Sequence, residues 1–397
     1  MIKEYLLATK NGQRVLAVGY SEGKSGESVL LAFIVMKDKI RRGVYDAVRE
    51  VKSAGIQIVM ITGDSIQTAT SIAKEAGIYN ERIGHIALDS STLHKMDDES
   101  VKAIIPKLRV LSRALPQDKT RLVRLSQESD LVAGMTGDGI NDAPSLKLSD
   151  VGFGMGSGTD IAKSAADVVI LDDSFSAIAK TVLYGRTIFK SIRKFITFQL
   201  IMNLCACGVS LFGQFVGIDT PITIIQMLWV NIIMDTLGGL AFAGEPPLDY
   251  YMLEPPKRRD EPILSTDMLK RILIQGSFSL GICIFFLTSP IFKNFYNYYN
   301  SKDTFFTAFY ALFVFVGLFN CLGARSERLW LFSNISKNRL FVIILLLISV
   351  IQLFMIYRGG ALFRCVPLSP KELWFVLSLS LSVVPFDIVR RIVEKLK

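Results

Sequence analysis

Thr136-Gly137-Asp138-Gly139-Ile140-Asn141-Asp142 follows the apolar run 131–135 and opens a helix-like segment. Asp138 and Asp142 stand four apart on that turn, so both carboxylates can face one hard cation, and a donor set made only of oxygen suits magnesium. Two more polar groups occupy the same kind of place. Thr62-Gly63-Asp64 comes directly after the apolar run 56–61 and before a helix; a hydroxyl, a permissive glycine and the free amides of a helix start can hold a phosphoryl group. Lys119, in Leu115-Pro116-Gln117-Asp118-Lys119, is a cation on the first turn of a helix, where it can offset phosphoryl charge. Alone, each has an ordinary reading as a capped turn, a solvated lysine or a helix cap. Found in this order at successive strand ends, they favour one phosphate and magnesium site, because open parallel sheets bind ligands at the carboxyl ends of their strands.

Around these groups the first half alternates β-rich apolar runs (29–36, 56–61, 109–111, 131–135, 168–171) with amphipathic helical segments (44–54, 65–76, 118–127, 159–165). That alternation is the pattern of a mostly parallel sheet covered on both faces. The opening Met1-Ile2-Lys3-Glu4 carries no hydrophobic core of signal-peptide length.

The second half is different. About 20 apolar residues cross a bilayer core, and six runs qualify: 195–218, 220–244, 272–292, 305–323, 340–357 and 373–389. With 50% hydrophobic and 20% charged residues, the 397-residue chain is neither disordered nor an ordinary soluble enzyme. Its net charge of +9 needs no nucleic acid, since basic residues gather in the cytoplasmic loops of membrane proteins. Lys190, Arg193 and Lys194 precede the first span, and Lys257, Arg258, Arg259, Lys270 and Arg271 follow the second, with none between the two. Both ends are therefore expected in the cytoplasm. Five cysteines form no disulfide framework or zinc spacing, and Cys205-Ala206-Cys207 places its thiols on different helix faces, so packing accounts for them better than a soft metal.

Asp235 is the ionisable group expected deep in a span, where a charge is costly enough to be functional. Asn231 lies one turn earlier on the same face, and Gly238 and Gly239 permit a locally unwound helix whose carbonyls become ligands. Asn203 also faces this region, as a ligand or a packing amide.

Thr62-Gly63-Asp64, Lys119 and Thr136-Gly137-Asp138-Gly139-Ile140-Asn141-Asp142-Ala143-Pro144 resemble the phosphorylation domain of P-type ATPases, a branch of the haloacid dehalogenase-like fold. The resemblance covers nearly the whole chain. It implies an incomplete α/β, Rossmann-like domain followed by an all-α bundle of six transmembrane helices. Residues 1–28 would be a remnant of the nucleotide-binding domain, 29–186 the phosphorylation domain, and 187–397 the membrane domain. By the same resemblance Thr62, Gly63, Asp64, Lys119 and Asn141 serve the phosphoryl group, and Asp138 and Asp142 serve Mg2+. The run Gln226-Met227-Leu228-Trp229-Val230-Asn231-Ile232-Ile233-Met234-Asp235 is similar to the sixth span of calcium pumps, the plasma-membrane type above all. Met234 and Ala206 stand where endoplasmic-reticulum-type pumps carry oxygen ligands. One of two calcium sites is thus expected to be missing, with Asn231 and Asp235 left to the other.

Two departures stand out. Asp38-Lys39-Ile40-Arg41 lacks the proline the family has after the aspartate, and no Asp-Lys-Thr-Gly-Thr nucleophile run occurs in the sequence. Asp118-Lys119-Thr120 is no substitute, because Arg121 follows and its lysine already serves as the phosphate cation. Without a carboxylate nucleophile no aspartyl-phosphate forms. The expectation is the C-terminal portion of a calcium pump of the cell membrane, from a split gene, a truncated gene or an incomplete gene model. Its intact form would use ATP and magnesium, transport Ca2+, and include a separately encoded N-terminal half as partner beside the lipid bilayer. The alternative is an inactive membrane protein, a pump remnant or a regulator of a partner pump. Loss of the nucleophile strand should also leave a gap in the parallel sheet, for which 2–9 and 14–19 are the available strand-like segments.

Overall fold

A computed structural model describes residues 13–21, 28–36, 39–218, 220–326 and 328–396. The chain divides into two compact units. The first is Met1–Gly185 with Leu248–Glu261, and the second is Arg186–Pro247 with Pro262–Lys397.

In the first unit β1 (Arg14–Ser21) and β2 (Ser28–Met36) form an antiparallel hairpin of their own. Neither expectation for this region holds: 29–36 does not enter the parallel sheet, and 14–19 does not fill a gap in it. The reason is proximity, since two strands joined by a short loop pair at little closure entropy. Segment 2–9 and Asp38 lie outside the described residues.

The parallel strands are β3 (Met60–Ile61), β4 (Ile86–Asp89), β5 (Leu108–Ser112), β6 (Gly134–Gly137), β7 (Val151–Met155) and β8 (Val168–Ile170). They form two sheets of three, in the orders β3-β5-β4 and β6-β7-β8. β4 escapes the sequence pattern because it is only four residues long.

Helices α1 (Val44–Ser53), α2 (Ile66–Glu75), α3 (Ser90–His94), α4 (Asp98–Ile104), α5 (Pro116–Glu128), α6 (Ala143–Leu148) and α7 (Asp160–Ala165) surround the strands. α5 starts on proline, which lacks the amide that a first turn leaves unpaired. Its Leu122 and Leu125 pack with Leu108 and Leu111 of β5, while Val123 packs with Met135 of β6 and Leu146 of α6. On another face Ala47 and Val51 of α1 meet Ile56 and Ile58, and also Phe175 and Ala179 at the start of α8 (Phe175–Phe215). Phe175 in turn packs with Phe153 and Ile170 of the second sheet. Helices thus bridge two sheets whose strands do not pair.

Residues Leu248–Glu261 connect two long helices yet belong to this unit. Tyr251 and Met252 are buried, Pro256 lies over Gly55, and Arg259 pairs with Asp150 at 2.8 Å.

The second unit is helical. α8 continues into it, followed by α9 (Ile224–Ala243), α10 (Thr266–Thr288), α11 (Pro290–Phe295), α12 (Lys302–Arg325), α13 (Arg339–Arg358), α14 (Pro370–Leu381) and α15 (Val383–Leu396). Counting α14 and α15 together, six helices among the described residues are long and apolar enough to cross a membrane. Their extents differ from the sequence expectation where a helix is longer than its apolar part, as α8 is, or where Ser289-Pro290 ends α10 early. α12 is the centre, buried over almost its whole length. Phe286 of α10 stacks on Phe292 and Phe305 beside it.

α8 and α10 approach closely because glycines face leucines: a Cβ on Gly208 would meet Leu280 and one on Gly276 would meet Leu204 at 2.6 Å. Small residues at such crossings let apolar helices gain van der Waals contact where lipid offers no hydrophobic drive. α9 is continuous through Gly238 and Gly239, so the expected unwinding is absent. Phe198 and Phe195 pack over the side-chain faces of these two glycines.

These contacts give a test. Gly276→Ala should lower the thermal midpoint of the purified chain, because the new methyl collides with Leu204. Gly281→Ala should hold or raise it, because nothing lies within 4 Å of its added Cβ and alanine gains about 1 kcal/mol of helix propensity over glycine. Equal shifts would show that α8 and α10 do not pack here.

Candidate functional site

Thr62 begins the loop after β3. Its hydroxyl donates to Asp64 Oδ2 at 3.2 Å and accepts from the Asp64 amide at 3.2 Å, which folds the loop back on itself. Gly63 is exposed, with open space where a side chain would stand. Ser65 caps α2 by accepting from Thr68 N. The segment leading to Lys119 is tied to this loop: the Ala114 amide donates to Thr62 O and the Arg113 amide to Asp64 O, both at 3.0 Å.

Lys119 then crosses to the other sheet. Its Nζ lies 2.5 Å from Asp142 Oδ1. Asp142 is buried, and its Oδ2 accepts from the amides of Asp138 and Gly139 at 3.3 Å. Asp138 is exposed, and its carbonyl accepts from the Thr159 amide at 2.8 Å. Gly158 sits against the Asp138 backbone, where a Cβ would approach within 2.9 Å of the carbonyl. Asn141 is exposed on the same turn.

Thr62, Lys119 and Asp142 are therefore linked through short connections, while Asp138 and Asn141 remain open to solvent. Among the described residues no three His, Cys, Asp or Glu side chains gather as a metal-binding group. Magnesium does not require three, because it keeps several waters and takes one or two carboxylates. The exposed Asp138 carboxylate beside Asp142, with oxygen donors only, fits that habit.

Asp118 is not a site carboxylate. It is buried and accepts from Ser90 Oγ at 2.6 Å and from the Leu115 amide at 2.8 Å, with His94 Nε2 2.6 Å from its other oxygen. This trio fixes the first turn of α5 directly beside Lys119. Sequence reasoning set Asp118 aside but missed Ser90 and His94, which belong to a helix it did not detect.

In the helical unit Asn231 and Asn203 are both exposed. Asp235 lies on α9, and its side chain is outside what the structure describes. Met234 is buried, and its side chain with that of Met202 lies against Gly317 of α12. Cys205 pairs in space not with Cys207 but with Cys283, their sulfurs 3.7 Å apart and both buried. Asp235 is also not the sole acidic residue deep among the helices. Glu245 is buried between Lys194 at 2.9 Å, Arg325 at 3.3 Å and Asn338 at 2.9 Å. Asp387 is buried between Arg390 and Arg391, each at 2.7 Å. The sequence signal for Asp387 was present, but the last span was drawn to end just beyond it.

A Rossmann-like domain with this cluster at its strand ends, joined to six membrane-length helices, defines a membrane protein with a haloacid dehalogenase-like domain. Residues 7–150 match the haloacid dehalogenase-like hydrolase family and 219–393 match the cation transporting ATPase C-terminus. The chain is 35% identical over 376 residues to plasma membrane-type calcium-transporting ATPase 9 of Arabidopsis thaliana, covering 92% of this chain and 34% of that protein. It is 37% identical over 373 residues to plasma membrane calcium-transporting ATPase 3 of Homo sapiens, covering 88% of this chain and 30% of that protein. It belongs to the P-type calcium-transporting ATPase family and corresponds to the C-terminal portion of those pumps. The chain spans about a third of the length of these relatives.

The Asp118 trio makes a pH prediction. Burial alone would raise the Asp118 carboxyl, but hydrogen bonds from Ser90, the Leu115 amide and His94 outweigh it and hold the group below its ordinary value. A carboxyl depressed on folding contributes stability above its unfolded value, about 3.9, and loses it as pH falls through the folded value. Asp118→Asn should therefore destabilise the chain at pH 7, with the gap from wild type closing below about pH 4. Thermal midpoints of both proteins across pH 3 to 7 check this; a constant gap would refute it.

Proposed function

We propose that this chain is the phosphorylation and translocation portion of an ATP-driven calcium pump of the cell membrane, with both termini in the cytoplasm. The observation that supports it best is the Lys119–Asp142 pair, which draws the strand-end loops of two sheets into one cluster. In this reading Thr62, Gly63, Asp64, Lys119 and Asn141 hold the phosphoryl group, and Asp138 with Asp142 holds Mg2+. Magnesium there supplies charge neutralisation for phosphoryl oxygens. Lys119, which pairs with Asp142, would offset the charge of a phosphoryl group held beside it.

Asn231 and Asp235 bind Ca2+ within the helices. The exposure of Asn203 and Asn231 in otherwise apolar spans supports further helices packing on this side, which would complete the ion site. The packing of Met234 and Met202 on Gly317 leaves sulfur and methyl groups where a second hard-cation site would need oxygen. In this reading the β1–β2 hairpin belongs to a nucleotide-binding domain, the rest of the first unit to the phosphorylation domain and the second unit to the membrane domain.

The chain by itself is catalytically silent, since no residue supplies the nucleophile. Purified with ATP, magnesium and calcium, it should form no acid-stable phosphoenzyme; radioactive labelling of any residue would overturn this. Completed with an N-terminal half, Asp235→Asn should abolish calcium-dependent turnover through loss of a charged ligand. Asp138→Asn should block phosphorylation while calcium binding survives. If Asp235→Asn binds calcium as tightly as the parent, the intramembrane assignment is wrong.

A further inference from the structure

We propose that a cavity among α9, α12 and α13 is a binding site for one water molecule, hydrogen-bonded to Tyr310 of α12 and Gln352 of α13, and is not a cation site. The inference needs no part of the pump reading, since it concerns two polar side chains and the space between three helices.

The side chains come first. Tyr310 is fully buried and Gln352 is 3% exposed. Tyr310 Oη and Gln352 Nε2 nevertheless have no hydrogen-bond partner among the described residues. A buried donor without an acceptor loses its hydration and gains nothing in return, and in lipid there is no solvent to restore it. Other buried amides in this unit are used at both ends. Gln226 donates to Phe363 O at 2.6 Å and accepts from the Thr223 amide at 2.9 Å. Asn320 donates to Ser279 Oγ at 2.9 Å and accepts from Gln275 Nε2 at 3.1 Å.

Tyr310 and Gln352 share one space. Ile233 and Met234 of α9, Tyr310 and Val314 of α12, and Ile348 and Gln352 of α13 line a cavity of about 10 Å³. That is the room a single water needs. Residues 310 and 314, like 348 and 352, are one helical turn apart, so each pair presents a single face to the cavity. A wholly apolar cavity of this size would stay dry, but a hydroxyl and an amide on the wall supply the two partners that a buried water requires.

The wall also selects against ions. Calcium takes about six to eight oxygens, whereas the polar groups here are one hydroxyl and one amide whose Nε2 can only donate. Among the described residues no charged side chain lines the cavity, so an anion would stand unbalanced inside the bilayer. Water is neutral, accepts from the amide, and can donate to the hydroxyl or accept from it. Met234 stands one residue before Asp235, and the occupant beside that stretch of α9 is therefore solvent.

Two measurements on the purified chain in lipid nanodiscs test this. An electron cryo-microscopy map that resolves waters should show one peak within about 3.2 Å of both Tyr310 Oη and Gln352 Nε2, unchanged by calcium. A cavity without density, or a peak that appears only with calcium at about 2.4 Å from oxygen, would overturn the proposal. Stability gives an independent sign. With water in place, Tyr310→Phe and Gln352→Met each strip a bond from it, so each should lower the thermal midpoint by about 1 °C or more. The double variant should lose less than the sum, because both substitutions act on one molecule. In a dry cavity each substitution instead removes an unpaired buried polar group and raises the midpoint, and that result refutes the bridge.

Discussion

α5 is the element on which the first unit depends, because one helix serves two sheets that do not pair. Leu122 and Leu125 face one apolar cluster and Val123 another, so consecutive residues hold separate cores. Its first turn is fixed by a buried carboxylate, Asp118, that accepts three hydrogen bonds, and the next residue reaches Asp142 across the unit. A buried acid left without those partners would cost several kcal/mol. The position of Lys119 is thereby bound to the stability of the helix start, and neither can shift without the other.

The alternation of apolar runs and amphipathic helices was enough to place the three strand-end clusters, because turn chemistry and strand ends are local. What local pattern could not give was pairing. Val29 to Met36 is apolar at successive positions, which reads as a strand buried on both faces, yet it pairs with the strand before it in sequence. β4 was missed because it is only four residues long and α3 because Leu93 is its one apolar residue, and with them Ser90 and His94. Asp118 could be excluded as a nucleophile from its neighbours, but its role as an anchor depends on residues more than twenty positions away.

In the helical unit the same division holds. Apolar length marked all six spans, while the contents of the helix interfaces were invisible. Gly238 and Gly239 suggested an unwound helix because glycine permits one, but permission is not instruction: phenylalanines fill the opening and the ladder stays intact. Cys205 shares a sequence motif with Cys207 and an interface with Cys283. The close approach that brings the two thiols together is set by Gly208 and Gly276, whose missing side chains are matched by leucines on the opposite helix.

Buried charge in this unit sorts into two kinds. Glu245 and Asp387 each have two cationic partners, and those partners also reach carbonyl oxygens, as Arg325 does at Leu331 and Ser333 and Arg391 at Gly323, Ser326 and Arg328. Such closed networks tie helix ends together and leave little oxygen free for a travelling ion. Asn203 and Asn231 are the reverse: polar, exposed, and set in apolar helices where a partner would be required in lipid. A polar group that is satisfied inside the bundle fixes its architecture, whereas one left facing outward requires something beyond the bundle to complete it. By that criterion the faces of α8 and α9 that carry the asparagines differ in kind from the closed networks around Glu245 and Asp387.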